Sequence, residues 1–257
     1  MVKKVGVIGG GVVGKAMQPH YQQLKIYDKY HPQDSLTAVL DCDYIFIAVP
    51  TPYHNGFDLT EMNDAFSNLA GLKDKVIIIK STVIPGTTDA YQAKYPQHKI
   101  LFNPEFLTQD TAVDDFIHPD RQIVGYTAQS QEIAEEVLTS LPSAPYQKIM
   151  PAPAAEMVKY MFNTFYATKV VFANQYYDLC QSIGIDYDVV KEAFLSEKKN
   201  LFNHFAIWHK GYRGYSGKCL PKDLEAIVEL AEKNNLDLKL LKTVREINEQ
   251  LKLATKK

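Results

Sequence analysis

Neither sign of charge dominates this 257-residue chain: 28 Lys and Arg stand against 30 Asp and Glu, leaving a formal charge of −2. That near-balance excludes a sequence-independent nucleic-acid binder, which needs basic excess to displace counterions. Long hydrophobic runs are missing too. Stretches such as Tyr44–Val49 and Val76–Ile79 fall far short of the roughly 20 apolar residues that span a bilayer, so no membrane partner is expected. No charged-then-apolar leader comes before the structured-looking Gly6–Gly14 segment. Cysteine is scarce. Cys42, Cys180 and Cys219 stand far apart with no CxxC pair, which suits reduced thiols in the cytoplasm, and no metal site is expected. Internal repeats and low-complexity tracts are absent. What is present is a hydrophobic content of 46%, enough for a sizeable core. At roughly 150 residues per domain, the length allows one to two domains.

Short apolar strands alternate with polar or amphipathic stretches through the first half. They are Lys4–Ile8, Lys25–Tyr27, Tyr44–Val49, Val76–Lys80, Lys99–Phe102, Gln122–Gly125 and Tyr146–Ile149. Such alternation predicts an α/β fold with a mainly parallel sheet and helices on both faces. The run Asp114–Arg121 reads as a loop. The character changes at Pro151-Ala152-Pro153. Beyond it, the pattern predicts a long helix over 154–182 capped by Gly184, then helices over 186–198, 222–234 and 237–253, with a Gly-containing loop at His209–Pro221. Two domains are therefore expected: a dinucleotide-binding unit over 1–151 and a helical unit over 152–257.

After the first strand, Gly9, Gly11 and Gly14 form G-x-G-x-x-G. Gly9 would allow the tight turn, Gly11 the close approach of a pyrophosphate, and Gly14 close helix packing. Val12 and Val13 would open a helix whose first N–H groups face the anion. Asp28 ends the next strand, near the spacing expected for a carboxylate that accepts hydrogen bonds from an adenosine ribose. It would repel a 2′-phosphate, favouring NAD over NADP, although a cation, Lys29, stands next to it. An ordinary exposed aspartate after a strand is the plainer alternative.

Two later strands end in polar segments, Val49-Pro50-Thr51-Pro52 and Ser81-Thr82-Val83-Ile84-Pro85-Gly86-Thr87-Thr88. Ligands of open α/β sheets sit beyond strand carboxyl ends, which places Val49, Pro50, Thr51 and Thr82 beside a cofactor; turn chemistry alone is the competing explanation. Glu105, in Asn103-Pro104-Glu105-Phe106-Leu107, has apolar neighbours. Desolvation would raise its pKa and suit a general base or acid, while a dipole-favoured glutamate at a helix start explains it equally well.

In the long helix, Lys159 and Asn163 fall at i, i+4 on a face shared with Glu156. A lysine beside an amide can hold an oxyanion; a solvated polar stripe is the blander account. Cys219 lies in Gly214–Asp223, a Gly-containing loop next to Pro221 and a helix start, where Lys218 and Lys222 would favour its thiolate. Asp223 follows four residues later. Cys42 and Cys180 have no such setting and read as packing residues.

These motifs, in this order, resemble the UDP-glucose and GDP-mannose (nucleotide-sugar) 6-dehydrogenase family. The matching segments are Gly9–Gly14, Ile47–Pro52, Ser81–Thr88, Asn103–Leu107, Ala155–Asn163 with Lys169-Val170, and Gly214–Asp223 with its Cys-x-Pro-Lys-Asp. The resemblance implies NAD-dependent oxidation of a sugar CH₂OH to a carboxylate, two NAD per turnover, through a cysteine thiohemiacetal and thioester. It implies Cys219 as nucleophile, Lys159 and Asn163 at the oxyanion, Asp223 acting with Lys159 on water, Glu105 as general base and Thr82 holding the water. Gly9, Gly11, Gly14 and Asp28 would bind NAD, with Thr51 and Thr82 nearby.

The sequence also departs from the family. Gln109 replaces a second glutamate, Ser216-Gly217 stands where Gly-Gly is usual, and Asn203-His204-Phe205 replaces an Arg-Ile-Gly segment. The family's further C-terminal nucleotide-binding domain would begin where this sequence stops. Alternatives are the NAD-binding half of a split or inactive enzyme, and a two-electron dehydrogenase of the β-hydroxyacid type. A homodimer through the aromatic-rich helix 154–182 is expected, and the substrate partner is a nucleotide sugar.

Overall fold

The computed structural model describes residues 3–182, 184–196, 207–208, 211–233 and 237–253, with the side chains of 175, 176, 178, 179 and 182 left aside. The Asn203–Phe205 position, His209, Lys198 and Asn234 lie outside the described residues. Compact unit one spans Met1–Lys159 and unit two Tyr160–Lys257.

Unit one carries a seven-stranded sheet in the order β2-β1-β3-β4-β5-β6-β7. The strands are β1 (Val5–Ile8), β2 (Lys25–Tyr27), β3 (Tyr44–Ile47), β4 (Val76–Ile79), β5 (Lys99–Phe102), β6 (Arg121–Tyr126) and β7 (Tyr146–Pro151). All pairs are parallel except β5 with β6. Central strands are apolar at every position because both faces are covered. Ile45 and Ile47 of β3 enter one core with Met62 and Phe66, while Tyr44 and Phe46 enter the other with Val137 and Leu138. The two cores sandwich the sheet between α1 (Val12–Ala16), α2 (Leu36–Leu40), α3 (Thr60–Leu69), α4 (Thr87–Lys94), α5 (Ala112–Ile117) and α6 (Ala134–Ser140). The order reverses at β1, between β2 and β3, so the crevice beyond the carboxyl ends of β1 and β3 is where such a sheet takes a ligand.

Helix α5 corrects the loop expected over 114–121. Asp114 and Asp115 lie in its first turn, where acidic side chains suit the helix dipole. Ala112 and Phe116 are buried, and Arg121 opens β6.

Helix α7 (Ala152–Ser182) begins two residues earlier than expected, with Pro153 in its first turn, where a missing N–H costs nothing. It ends as predicted at Gly184, which has φ +73°. Ile185 N–H donates to Cys180 O at 2.9 Å and Gly184 N–H to Gln181 O at 3.4 Å, the paired bonds of a Schellman cap. In unit two follow α8 (Tyr187–Leu195), α9 (Leu220–Lys233) and α10 (Lys239–Lys252). Among the described residues no helix is long and apolar enough to cross a membrane.

Candidate active site

The glycine loop has the geometry its spacing implies. Gly9 sits at φ +114°, and a Cβ there would lie 2.2 Å from Ala48 O. A Cβ on Gly14 would lie 2.0 Å from Gly9 O, so the first turn of α1 packs directly onto the loop. Around Gly11 a Cβ would meet nothing within 4 Å. This is open space beside the start of a helix, which fits a pyrophosphate passing over the backbone of Gly11, Val12 and Val13. Asp28 reaches back to the loop: its Oδ2 accepts from Gly10 N–H at 2.8 Å, and its Oδ1 from Tyr30 and His31 N–H at 2.9 and 3.0 Å. Although burial pushes its pKa up, these three donors hold it below the usual carboxylate value. Asp28 is therefore a fixed anion at the end of β2, more than an ordinary exposed aspartate.

Beyond β3 and β4 the two polar segments are tied together. Val49 N–H donates to Ser81 Oγ at 2.9 Å, and Ser81 Oγ donates to Val49 O at 2.7 Å. Thr51 Oγ1 donates to Thr82 O at 2.7 Å. Val49, Pro50, Thr51 and Thr82 thus form one braced wall at the strand ends, with prolines fixing its backbone.

Glu105 and Lys159 meet in the same unit. Their charged groups are 2.9 Å apart, with side chains only 14% and 7% exposed. Burial pushes the Glu105 pKa up, but the Lys159 charge and hydrogen bond, the Leu107 N–H and the Lys80 charge together carry it below the usual value. This corrects the raised pKa expected from its apolar neighbours: those neighbours are real, but a lysine brought from α7 outweighs them. Nor does Glu105 start a helix. Lys159, Asn163 and Glu156 are all buried, so the face they share is no solvated stripe.

One contributor, Lys80, was not singled out from sequence, and Glu156 was named only as sharing the α7 face. Lys80, just beyond β4, is 3% exposed and donates to Asn103 Oδ1 at 2.6 Å. Burial lowers its pKa to about 8, with Glu105 opposing the shift. Asn103 in turn donates to Ile123 O at 2.8 Å, which fixes the turn that aims Glu105. A lysine closing an otherwise apolar Val-Ile-Ile-Ile strand was the available signal. Glu156 accepts from Gly86 N–H (2.6 Å), Thr88 N–H (2.8 Å) and Thr88 Oγ1 (2.6 Å), capping α4 from the first turns of α7.

In unit two, Asp223 is fully buried in the first turn of α9. It accepts from the Asn163 amide, and its Oδ1 lies 3.1 Å from Lys222 Nζ. Cys219 stands immediately before α9, its carbonyl accepting from Asp223 N–H at 2.9 Å. It is exposed, whereas Cys42 and Cys180 are buried. The loop leading to it is pinned from α10. Tyr215 N–H donates to Asn248 Oδ1 at 2.7 Å and Asn248 Nδ2 to Tyr215 O at 3.0 Å. Gly214, at φ +78°, is required because a Cβ would lie 2.5 Å from Asn248 Oδ1.

A mainly parallel sheet with a glycine-loop turn and a fixed acid after β2, followed in the chain by a helical unit, defines the dinucleotide-binding class of architecture. The comparisons narrow this. Residues 12–141 match the NAD binding domain of the UDP-glucose/GDP-mannose dehydrogenase family, and residues 153–250 match its central domain. The chain belongs to that family, and its sheet unit is an NAD-binding domain. UDP-glucose 6-dehydrogenase YwqF of Bacillus subtilis is 33% identical over 82% of this chain and 49% of its own length. UDP-glucose 6-dehydrogenase of Pseudomonas aeruginosa is 35% identical over 84% of this chain and 50% of its own length. A solved UDP-glucose dehydrogenase from the hyperthermophilic archaeon Pyrobaculum islandicum superposes with a TM-score of 0.83 at 27% identity, covering 97% of this chain and 68% of that one. The chain spans about half the length of these curated relatives.

Proposed function

We propose that the protein takes part in oxidation of a nucleotide sugar, UDP-glucose or a close analogue, from CH₂OH to the uronate through a covalent adduct on Cys219. The observation that carries this reading is the exposed cysteine at the start of α9, four residues before a buried aspartate, in a chain of this family. Gly9, Gly11, Gly14 and Asp28 would hold NAD, which would supply the hydride acceptor, one molecule for each of the two oxidations with exchange between them. Glu105, ionised beside Lys159, is assigned to removal of the hydroxyl proton in the first step, although the Lys159 charge lowers its basicity. The Cys219 thiolate would add to the aldehyde carbon, and the resulting thiohemiacetal loses the second hydride to become a thioester. Lys159 and Asn163 are assigned to the oxyanions that develop. Asp223, with Lys159, is assigned to the water that cleaves the thioester and releases carboxylate and thiol, with Thr82 holding that water. We further propose a homodimer through α7 and a reducing, cytoplasmic setting, which three widely separated cysteines with no CxxC pair suit.

The test is NADH yield against a panel of UDP- and GDP-sugars, with and without thiol blocking. Two NADH per sugar, with the second lost in Cys219→Ser, is expected. One NADH per sugar, indifferent to thiol block, would replace this reading by a two-electron dehydrogenase.

A further inference from the structure

Asp28 is the expected ribose partner, but the residue beside it carries the opposite charge. Lys29 is side-chain exposed and could in principle swing to a 2′-phosphate, which would undo the discrimination Asp28 provides. It is not left to do so. Its Nζ lies 3.2 Å from Asp64 Oδ2 and 3.8 Å from Glu61 Oε2, both on α3. Tyr30 Oη donates to Glu61 Oε1 at 2.9 Å and completes the cluster. Three carboxylates (Asp28, Glu61 and Asp64) therefore stand against one ammonium.

Each exposed ion pair is weak when taken alone. Their joint effect on an incoming phosphate is different in kind. A 2′-phosphate must approach a cluster with excess negative charge and recruit a lysine already shared by two carboxylates. An unmodified ribose diol meets neither cost.

We propose that Glu61 and Asp64 are specificity-determining residues that, by clasping Lys29 on α3, set this site against dinucleotides bearing a 2′-phosphate. The proposal rests on the sheet unit binding NAD and deepens it, since it moves part of the selection from β2 to α3. It follows that replacing Asp28 alone leaves NADPH binding poor, because the clasp persists.

Binding, with no turnover required, tests this. Quenching of protein fluorescence by NADH and by NADPH would be titrated at low salt for the whole chain, Glu61→Gln/Asp64→Asn and Lys29→Met/Glu61→Gln/Asp64→Asn, with circular dichroism to confirm equal folding. Releasing the clasp is expected to tighten NADPH binding about tenfold while NADH stays within about twofold, as freeing one ammonium to pair with a 2′-phosphate implies. Adding Lys29→Met is expected to remove most of that gain. An unchanged NADPH affinity in the double variant, or a gain that survives in the triple, would overturn the inference while leaving the NAD site intact. A wild-type chain that binds neither dinucleotide would overturn the NAD-site reading and this inference with it.

Discussion

Removing the Lys159 ammonium would strand the Glu105 carboxylate, whose facing partner it is at 2.9 Å. Breaking one side of a buried pair is costly because the remaining charge is left without compensation, about 3 kcal/mol in typical cases. Lys159→Met should therefore destabilise unit one by that order in urea unfolding, and Glu105→Gln/Lys159→Met should recover much of the loss. A double-variant loss equal to the sum of the Lys159→Met and Glu105→Gln losses would mean the pair is not coupled. At this scale the sequence was half legible. The apolar surroundings of Glu105 could be read from Phe102, Phe106 and Leu107, and they do push its pKa up. The sign of the net shift could not be read, because it depends on Lys159 and Lys80, which only the fold brings near. The polar face of α7 was legible as a pattern, whereas its burial was not: helical spacing fixes which residues share a face and says nothing about what covers it.

Elements expose a second layer of the same economy. Glu156 spends its carboxylate on the start of α4, accepting from two backbone N–H groups and a hydroxyl while fully buried. Burial dominates and raises its pKa to about 7, with the Thr88 and Gly86 donors opposing. The folded state therefore binds a proton that the unfolded state has already lost. Its contribution to stability is complete below the ordinary glutamate pKa of about 4.3 and is lost as pH rises through about 7. Unfolding free energy should thus carry a component that falls across this window. In Glu156→Gln that slope should vanish, and stability should drop by about 1–3 kcal/mol because an amide cannot accept from all three donors. A slope identical in the variant would assign it to other groups. The glycine loop gives a complementary pair. Gly14→Ala forces a Cβ against Gly9 O and should lower Tm and dinucleotide binding together. Gly11→Ala meets open space at φ −74°, so it should leave Tm within a degree or two while weakening NADH binding, measured by fluorescence titration. The inner strands β1, β3, β4 and β5 were readable because two covered faces demand nearly uninterrupted apolar runs, whereas β2 and β7 lie at the sheet edges with exposed positions. Helix α5 was not readable: its six residues carry two aspartates, and only the burial of Ala112 and Phe116 reveals the helix behind the charge.

For the molecule as a whole, the change of pattern at Pro151-Ala152-Pro153 was legible as the start of a helical region. The division into units was less so, because it falls inside α7, whose first turns belong with the sheet unit. What α7 leaves uncovered carries the argument about assembly. Met157, Met161, Phe165 and Phe172 recur at helical spacing, and Met161 and Phe165 are 73% and 50% exposed. Tyr160 and Ala167, on the opposite side of the same helix, are buried. A helix with apolar residues on both sides has a surplus face, and in a chain that is otherwise evenly charged such a face favours a second copy. In a twofold interface each substitution acts twice. Burying one phenylalanine contributes about 2 kcal/mol, so Phe165→Asp should weaken a dimer by at least about 4 kcal/mol, close to a thousandfold in Kd. Sedimentation velocity at tens of micromolar should show wild type as a dimer and Phe165→Asp as a monomer with an unchanged circular dichroism spectrum. A wild type that sediments as a monomer would remove the assembly and require the exposed methionines and phenylalanines of α7 to meet a different partner.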